Sequence, residues 1–316
     1  MSTTILFGAT GATGSFLLPQ LLARGASVYA VSRQPPPASG PAPVWVQADL
    51  FAAAAPVPAD IAIALSLGPL DAFAGWIEQA PLPQLRRVVA LSSMSAQSKR
   101  DSLDPHEREL AARLRESEVR LLRLATERGI ACTLLRPTLI YGGRADRSLT
   151  PIVAFARRWR MLPIPIGARG LRQPIHAADL AAAVLAVIDC AAAAGKTYAL
   201  GGGERLPFDQ LLRRLIATIP GPVLPLPLPQ WLLRTLLAWS GREDAPSAGA
   251  LQRLGADLIA DDREARHDFG FSPRPFAAEE VVAPRPLAKK GLTGRTFACC
   301  SAAVNASIFV ANERLN

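Results

Sequence analysis

The first fourteen residues constrain the fold more than any later stretch. Thr4-Ile5-Leu6-Phe7 is a short apolar run with the pattern of a buried strand, and Gly8-Ala9-Thr10-Gly11-Ala12-Thr13-Gly14 follows it directly. Ser15-Phe16-Leu17-Leu18-Pro19-Gln20-Leu21-Leu22 then reads as a helix. Three glycines at this spacing suit a dinucleotide phosphate site. The first permits the tight strand-to-helix turn, the second lets backbone approach a pyrophosphate, and the third lets helix pack closely on strand. N–H groups at the helix start face the anion with the helix dipole behind them. A bare glycine triplet also describes a flexible loop, and the flanking strand and helix decide between the two. Gly8, Thr10, Gly11, Ala12, Thr13 and Gly14 are therefore the expected cofactor cradle.

With 316 residues, half of them hydrophobic, the chain can bury one large core or two unequal ones. It reaches its first strand within a few residues, leaving no room for a signal peptide, so a cytoplasmic location is expected. No uninterrupted apolar run has membrane-spanning length. The most lipophilic stretch, Leu224 to Leu237, is broken by Pro225, Pro227, Pro229 and Arg234. Cys132, Cys190, Cys299 and Cys300 lack metal-binding spacing, and Cys132 lies in an apolar strand as a buried free thiol. The net charge of +9 raises the question of nucleic acid, but the arginines are dispersed among unrelated elements. The stretch after Val282 carries +4 of it, from Arg285, Lys289, Lys290, Arg295 and Arg314 against Glu313. No aromatic-interleaved basic motif is present, so the expectation is no nucleic acid and some attraction for a phosphorylated ligand.

The second strand, Ser27 to Arg33, ends where the adenosine ribose of a dinucleotide would lie. A carboxylate there binds the ribose hydroxyls of NAD and repels a 2′-phosphate; this chain offers Ser32 and Arg33, suited to the phosphate of NADP. NADP is the expected cofactor, with NAD as the alternative, although an arginine at a strand end is often mere surface. Val44 to Leu50 is the third strand. Asp49 and Leu50 reach the adenine in one reading; in the other, Asp49 is a helix cap before Phe51-Ala52-Ala53. Ile61–Ser66, Leu85–Ser93 and Ile130–Pro137 are the next strands, with a long charged helix, Pro105 to Arg128, before the last. Alternating strands and helices imply an α/β fold with a doubly wound parallel sheet covered on both faces, and ligand at the C-terminal strand ends. Ser66 and Ser92-Ser93 would converge there with the glycine turn.

The later half reads as a smaller, mostly helical substrate lobe. His176 to Asp179 leads into an Ala-rich helix through Ile188, and a strand, Thr197–Leu200, runs into Gly201-Gly202-Gly203, read as a loop. A helix is entered through Pro207, and further helix follows the Pro-Leu run to about Arg266. The expected division is 1–170 for the dinucleotide domain, its sheet open to completion by later segments, 171–282 for lobe elements, and 283–316 as a flexible tail.

Taken together, Gly8-Ala-Thr-Gly11-Ala-Thr-Gly14, Asp49-Leu50, Leu91-Ser92-Ser93, Leu135-Arg136-Pro137-Thr138-Leu139-Ile140-Tyr141-Gly142 and Arg172-Gln-Pro-Ile-His176-Ala-Ala-Asp179 resemble the short-chain dehydrogenase/reductase superfamily. The likeness is to its extended and atypical branches, related to NAD-dependent nucleotide-sugar epimerases and dehydratases, and His267 to Phe276 is similar to the end of their lobe. The resemblance covers residues 4 to about 276. It implies a Rossmann fold, a tightly held NAD(P), a substrate cleft between sheet and lobe, Pro137 and Arg115 beside the cofactor, and Ser93 in the place of a catalytic serine.

One departure matters. Catalytic members carry Tyr-x-x-x-Lys on the helix after the fifth strand, the lysine lowering the tyrosine's pKa for proton transfer. The three tyrosines here, Tyr29, Tyr141 and Tyr198, lie elsewhere, and none has a lysine four residues on. About Ala111 and Arg115 stand at the expected positions. Alanine transfers no proton, and arginine is a poor acid. His106 and His176 are the remaining candidate acids, with His176 and Asp179 alternatively positioning the following helix. Three readings follow: an oxidoreductase-like protein with altered or weak hydride transfer on a small carbonyl or nucleotide-sugar-like substrate, a non-catalytic NADP-binding scaffold or redox sensor, and a nucleotide-sugar epimerase. Arg144, Arg147, Trp159, Arg172 and Trp231 are candidate substrate contacts that hint at an anionic group. The apolar length of the long helix, Leu110 to Leu124, suggests a homodimer face.

Overall fold

The computed structural model describes residues 2–34, 42–51, 58–143, 146, 149–239 and 253–282. In chain order these form β1 (Thr3–Phe7), α1 (Gly14–Ala23), β2 (Ser27–Ser32), β3 (Val44–Gln47), β4 (Ile61–Ser66), α2 (Leu70–Gln79), β5 (Arg87–Leu91), α3 (Ser95–Ser98), α4 (Pro105–Glu127) and β6 (Ala131–Pro137). They continue with β7 (Ile140–Tyr141), α5 (Thr150–Trp159), β8 (Met161–Pro165), β9 (Leu171–Arg172), β10 (Ile175–His176), α6 (Ala177–Asp189) and β11 (Thr197–Leu200). The last elements are β12 (Leu206–Pro207), α7 (Phe208–Ala217), β13 (Leu224–Leu228), α8 (Gln230–Trp239), α9 (Arg263–Phe269) and α10 (Ala278–Val282).

Seven parallel strands, ordered β11-β6-β5-β4-β1-β2-β3, make the central sheet. The chain moves outward from β1 through β2 and β3, then returns to place β4 on β1's other side. That reversal opens a crevice at the C-terminal ends of β1 and β4. The strands are apolar on both faces because helices cover both. Ile5 and Phe7 of β1 join Val88 and Leu134 under Phe73 and Trp76 of α2 and Leu121 of α4. Leu6 points the opposite way, with Val89 and Leu135, under Leu17 of α1 and Leu180 and Val184 of α6. Cys132 lies buried on β6, where desolvation pushes its thiol up to about 12.

The strand Thr197–Leu200 corrects its placement in the lobe: β11 is the seventh strand of the main sheet, pairing with β6 from Thr197↔Leu134 to Leu200↔Pro137. Chain position suggested the lobe, but the helix before it, α6, packs on the sheet face beside α1 and so returns the chain to the sheet edge. The lobe has its own core, built from Ile152 and Val153 of α5, Leu162 and Ile164 of β8, Leu211 and Leu215 of α7, and Phe276. The Pro-Leu run is extended: β13 pairs in parallel with β8, Leu224↔Met161 through Leu228↔Pro165. Proline lacks an N–H, so alternating leucines do the donating in this edge ribbon. The 283–316 segment lies outside the described residues.

The helix α4 starts at Pro105, with Asp104 accepting the His106 N–H at 3.0 Å as its cap. Its leucines are not the exposed stripe expected from sequence. Leu121 and Leu124 are buried, Leu110, Leu114 and Leu122 are half-buried, and Val119 alone of this group is exposed, because the helix wedges between sheet and α2. Near its start, Glu107 is fully enclosed. It accepts from Ser102 Oγ at 2.6 Å, lies 3.5 Å from Lys99 Nζ, and pairs with Arg253 from the segment beyond α8. Removing the carboxylate leaves two cations facing each other in a dry site. Glu107→Ala is expected to cost about 3 kcal/mol in denaturant unfolding, whereas the exposed Glu116→Ala should stay within about 0.5 kcal/mol.

Candidate functional site

The glycine turn has the geometry its spacing implies. Gly8 adopts φ +79, a conformation that side chains rarely tolerate, and its carbonyl accepts the Gly11 N–H at 3.0 Å. A Cβ at Gly14 would lie 2.2 Å from the Gly8 carbonyl oxygen and 2.6 Å from that of Ala9, so α1 sits directly on the end of β1. The start of α1 has Thr13 as its first flanking residue, with no side chain capping it and no acidic group in its first turn. An uncapped, acid-free helix N-terminus at the crevice fits an anionic pyrophosphate. Thr10 and Ser32 hydroxyls stand 3.3 Å apart, joining the turn to the end of β2, and Arg33 extends an exposed side chain beside them.

The other expected cofactor contacts divide. The Asp49 carboxylate accepts the Phe51 N–H at 3.1 Å in a local turn, and Leu50 is half-buried next to it; the helix that Asp49 is expected to cap falls outside the described residues. Ser66 is fully enclosed at the end of β4, its Oγ without a partner among the described residues. The Ser92 hydroxyl donates to Glu118 at 2.5 Å, and Arg136 grips the same carboxylate through Nε at 2.7 Å and Nη2 at 2.5 Å. This buried triad ties β5, β6 and α4 together. Arg115 donates to the Ala96 carbonyl at 3.2 Å, linking α4 to α3, and the Pro137 carbonyl accepts the Met94 N–H. Ser93 is buried, and its Oγ accepts the Ser95 N–H at 3.1 Å, a turn-forming role.

No tyrosine reaches α4. Ala111 is fully buried there. Tyr29 sits half-buried on β2. Tyr141 is enclosed at the sheet–lobe junction: its hydroxyl accepts the Ala277 N–H at 3.1 Å, and burial pushes it up to about 12. Tyr198 donates to Asp268 at 2.6 Å and is raised by burial and by that carboxylate. Neither is poised to give or take a proton near neutral pH.

His176 occupies a defined place. Its Nδ1 accepts the Ala178 N–H at 3.1 Å, capping α6, so its proton resides on Nε2, which donates to Glu280 at 2.6 Å. Arg274 bridges Asp179 at 2.9 Å and Glu280 at 3.5 Å, completing a network between α6 and α10. Burial lowers the His176 pKa. His176 thus caps the helix that follows it, while Asp179 in that helix's first turn holds Arg274. His106 is exposed on the first turn of α4.

Arg172 is buried, donating to the carbonyls of Ala256 at 2.8 Å and Arg253 at 3.0 Å, and desolvation brings it down to about 10. Trp159 and Trp231 are exposed on the lobe, and Arg144 and Arg147 lie outside the described residues. Sequence reading missed the reason for two glycine pairs. A Cβ at Gly142 would lie 2.1 Å from His176 Nε2, and one at Gly143 would lie 3.1 Å from the Ala12 carbonyl, so this pair brings the lobe entrance against the glycine turn. Gly202 likewise leaves no room, its Cβ falling 1.8 Å from the Pro174 carbonyl. Adjacent glycines after a strand were the available signal.

No family model matches the chain. It is similar to UDP-glucose 4-epimerase of Vibrio cholerae, 22% identical over 160 residues, covering 50% of this chain and 47% of that protein. It is also similar to NADH dehydrogenase [ubiquinone] 1 alpha subcomplex subunit 9, mitochondrial, of Rattus norvegicus, 26% identical over 159 residues, with 47% and 40% covered. The match thus spans about half or less of these curated relatives. Among solved structures, MoeE5 in complex with UDP-glucuronic acid and NAD superposes with a TM-score of 0.65 at 19% identity, covering 89% of this chain and 96% of the other. The UDP-glucuronic acid 4-epimerase from Bacillus cereus in complex with NAD gives 0.65 at 13% identity, with the same coverage. The chain has the Rossmann fold of NAD-dependent epimerases, dehydratases and short-chain dehydrogenase/reductase proteins.

A pH dependence follows from the His176 network. The folded pKa lies below the unfolded value near 6.5. The histidine's contribution is therefore full above about pH 6.5 and is lost as pH falls through the folded pKa. His176→Asn, which keeps a capping oxygen, should flatten the fall in unfolding midpoint below about pH 6.5.

Proposed function

We propose that this chain is an NADP-binding protein of the atypical short-chain dehydrogenase/reductase kind, in which nucleotide binding is kept and hydride transfer is weak or absent. The observation that carries the reading is the pairing of a close-packed glycine turn and an uncapped α1 with an α4 that holds a buried alanine, Ala111, where the family's tyrosine would stand. Gly8, Gly11 and Gly14 would hold the pyrophosphate, with Ala12 and Thr13 presenting backbone to it. Thr10, Ser32 and Arg33 would receive the 2′-phosphate, and Asp49 and Leu50 would flank the adenine. When bound, a nicotinamide supplies a hydride donor or acceptor. This chain's own residues then orient the nucleotide and exclude water, while Ser93 is the available hydroxyl near a substrate carbonyl.

The partial likeness to relatives whose names include NAD and UDP-sugars supports a nucleotide-sugar-like or other small anionic substrate. The bonded states of Tyr141 and Tyr198 favour a second reading, a non-catalytic NADP-dependent scaffold or redox sensor, because both hydroxyls already serve structural contacts. Epimerization depends most on the missing tyrosine and ranks third. A homodimer through α4 would draw on Val119 and the half-buried Leu110, Leu114 and Leu122. The cytoplasm is the compartment we propose; no helix among the described residues is long and apolar enough to cross a membrane.

Titration of the purified chain with NADPH and NADH, followed by nicotinamide fluorescence, tests the reading. NADPH should bind more tightly, and Arg33→Ala should weaken NADPH about 10- to 100-fold while leaving NADH nearly unchanged. Gly14→Ala should abolish binding of both. Failure of either nucleotide to bind at millimolar concentration would sink the proposal. Turnover with a carbonyl panel separates the two leading readings: measurable NADPH oxidation supports the reductase, and tight binding without oxidation supports the scaffold.

A further inference from the structure

The lobe carries a surface that nucleotide binding does not use. Two segments, 149–171 and 210–233, carry Arg157, Arg158, Arg160, Arg169, Arg213 and Arg214 and no aspartate or glutamate, with Arg214 paired to Glu204 from outside them. They supply α5, β8, β13, α7 beyond its first turn and the start of α8. In the β8–β13 ribbon, Leu162 and Ile164 face the lobe core, so the alternate residues face outward. Those outward positions are also apolar. Met161 and its register partner Leu224 are 39% and 60% exposed, with Leu226 and Leu228 half-buried along the same side. Trp159, 56% exposed, stands at one end of the ribbon. At the other, Ile166 donates its N–H to Leu228 at 2.8 Å and lies beside the start of α8, where Trp231 is 68% exposed. From Met161 to Ile166 the ribbon runs roughly 17 Å. Arg158 stands over the Trp159 ring at 5.6 Å, and Arg169 and Arg213 are exposed on neighbouring elements.

We infer that this face docks on an anionic lipid surface. Exposed tryptophan, leucine, isoleucine and methionine beside arginines, without nearby acids in the same segments, match both parts of such a surface. Indole rings settle at headgroup level, aliphatic side chains enter the acyl boundary, and guanidinium groups meet lipid phosphates. Nucleic acid would share the charge preference, but the groups between the two tryptophans are aliphatic or proline and offer no stacking face for bases. The contact is peripheral, with no spanning segment involved, and it stands independently of the nucleotide reading.

The test is sedimentation of the full chain with phosphatidylcholine vesicles, with and without added phosphatidylglycerol, alongside tryptophan emission. Binding to the anionic vesicles alone, with a blue shift and weakening in high salt, is the expected result. The double variant Trp159→Ala/Trp231→Ala should bind at least about tenfold more weakly, and Arg158→Gln/Arg169→Gln about tenfold more weakly. Both variants should keep the wild-type thermal midpoint, so that lost binding is not lost folding. Absence of vesicle binding by the folded wild-type chain overturns the inference. So does undiminished binding by the tryptophan variant, which would assign the contact to another basic region. Tryptophan quenching by a single-stranded oligonucleotide, without vesicle binding, would assign the face to nucleic acid instead.

Discussion

The contact between Gly14 and the carbonyl of Gly8 is the constraint on which the rest of the structure depends. With the position a side chain would take only 2.2 Å from that oxygen, α1 can seat on β1 only because Gly14 has no Cβ. Seating α1 there presents its uncapped N-terminus at the crevice between β1 and β4, and buries Leu17 and Leu21 against the sheet. The local requirement for glycine thus sets the helix's position, the sheet's covering and the anion site together.

A second set of contacts joins the lobe to this frame, and it is polar rather than apolar. Glu107 is reached by Arg253, His176 by Glu280, Asp179 by Arg274, and the Ala256 carbonyl by Arg172. Glu107 is the fully enclosed charge among them, and a buried charge of this kind costs heavily when its partner is lost. These contacts fix the lobe's orientation over the strand ends where a substrate would sit. The same contacts occupy several side chains that a sequence reading counts as chemical candidates, among them His176 and Arg172.

The absence of the Tyr-x-x-x-Lys pair from α4 therefore has a structural counterpart. Ala111 fills a closed position, Arg115 bonds a backbone carbonyl, and Ser92 is held by Glu118 and through it by Arg136. The helix's inward face is committed to packing and to a buried ion pair. A chain built this way keeps the close-packed glycine turn of its fold while the elements around it serve architecture.

What sequence determined by itself was whatever local spacing fixes. The glycine turn, the buried strands, the capped start of α4 and the parallel α/β class follow from periodicity, from Asp104-Pro105, and from where glycine is sterically required. The lack of a Tyr-x-x-x-Lys pair was equally legible, since it needs only reading along the chain. Tertiary structure alone decided the rest. The return of Thr197–Leu200 to the sheet depends on how α6 packs. The pairing of β13 with β8 joins residues about sixty positions apart. The roles of Ser92, Arg172 and His176 rest on partners from distant segments, Glu118, Ala256 and Glu280, which no local pattern specifies. Short-range sterics and hydrophobic period act on neighbours in sequence; the pairing of a buried polar group is settled only when distant segments meet and one partner's lone pairs answer another's protons.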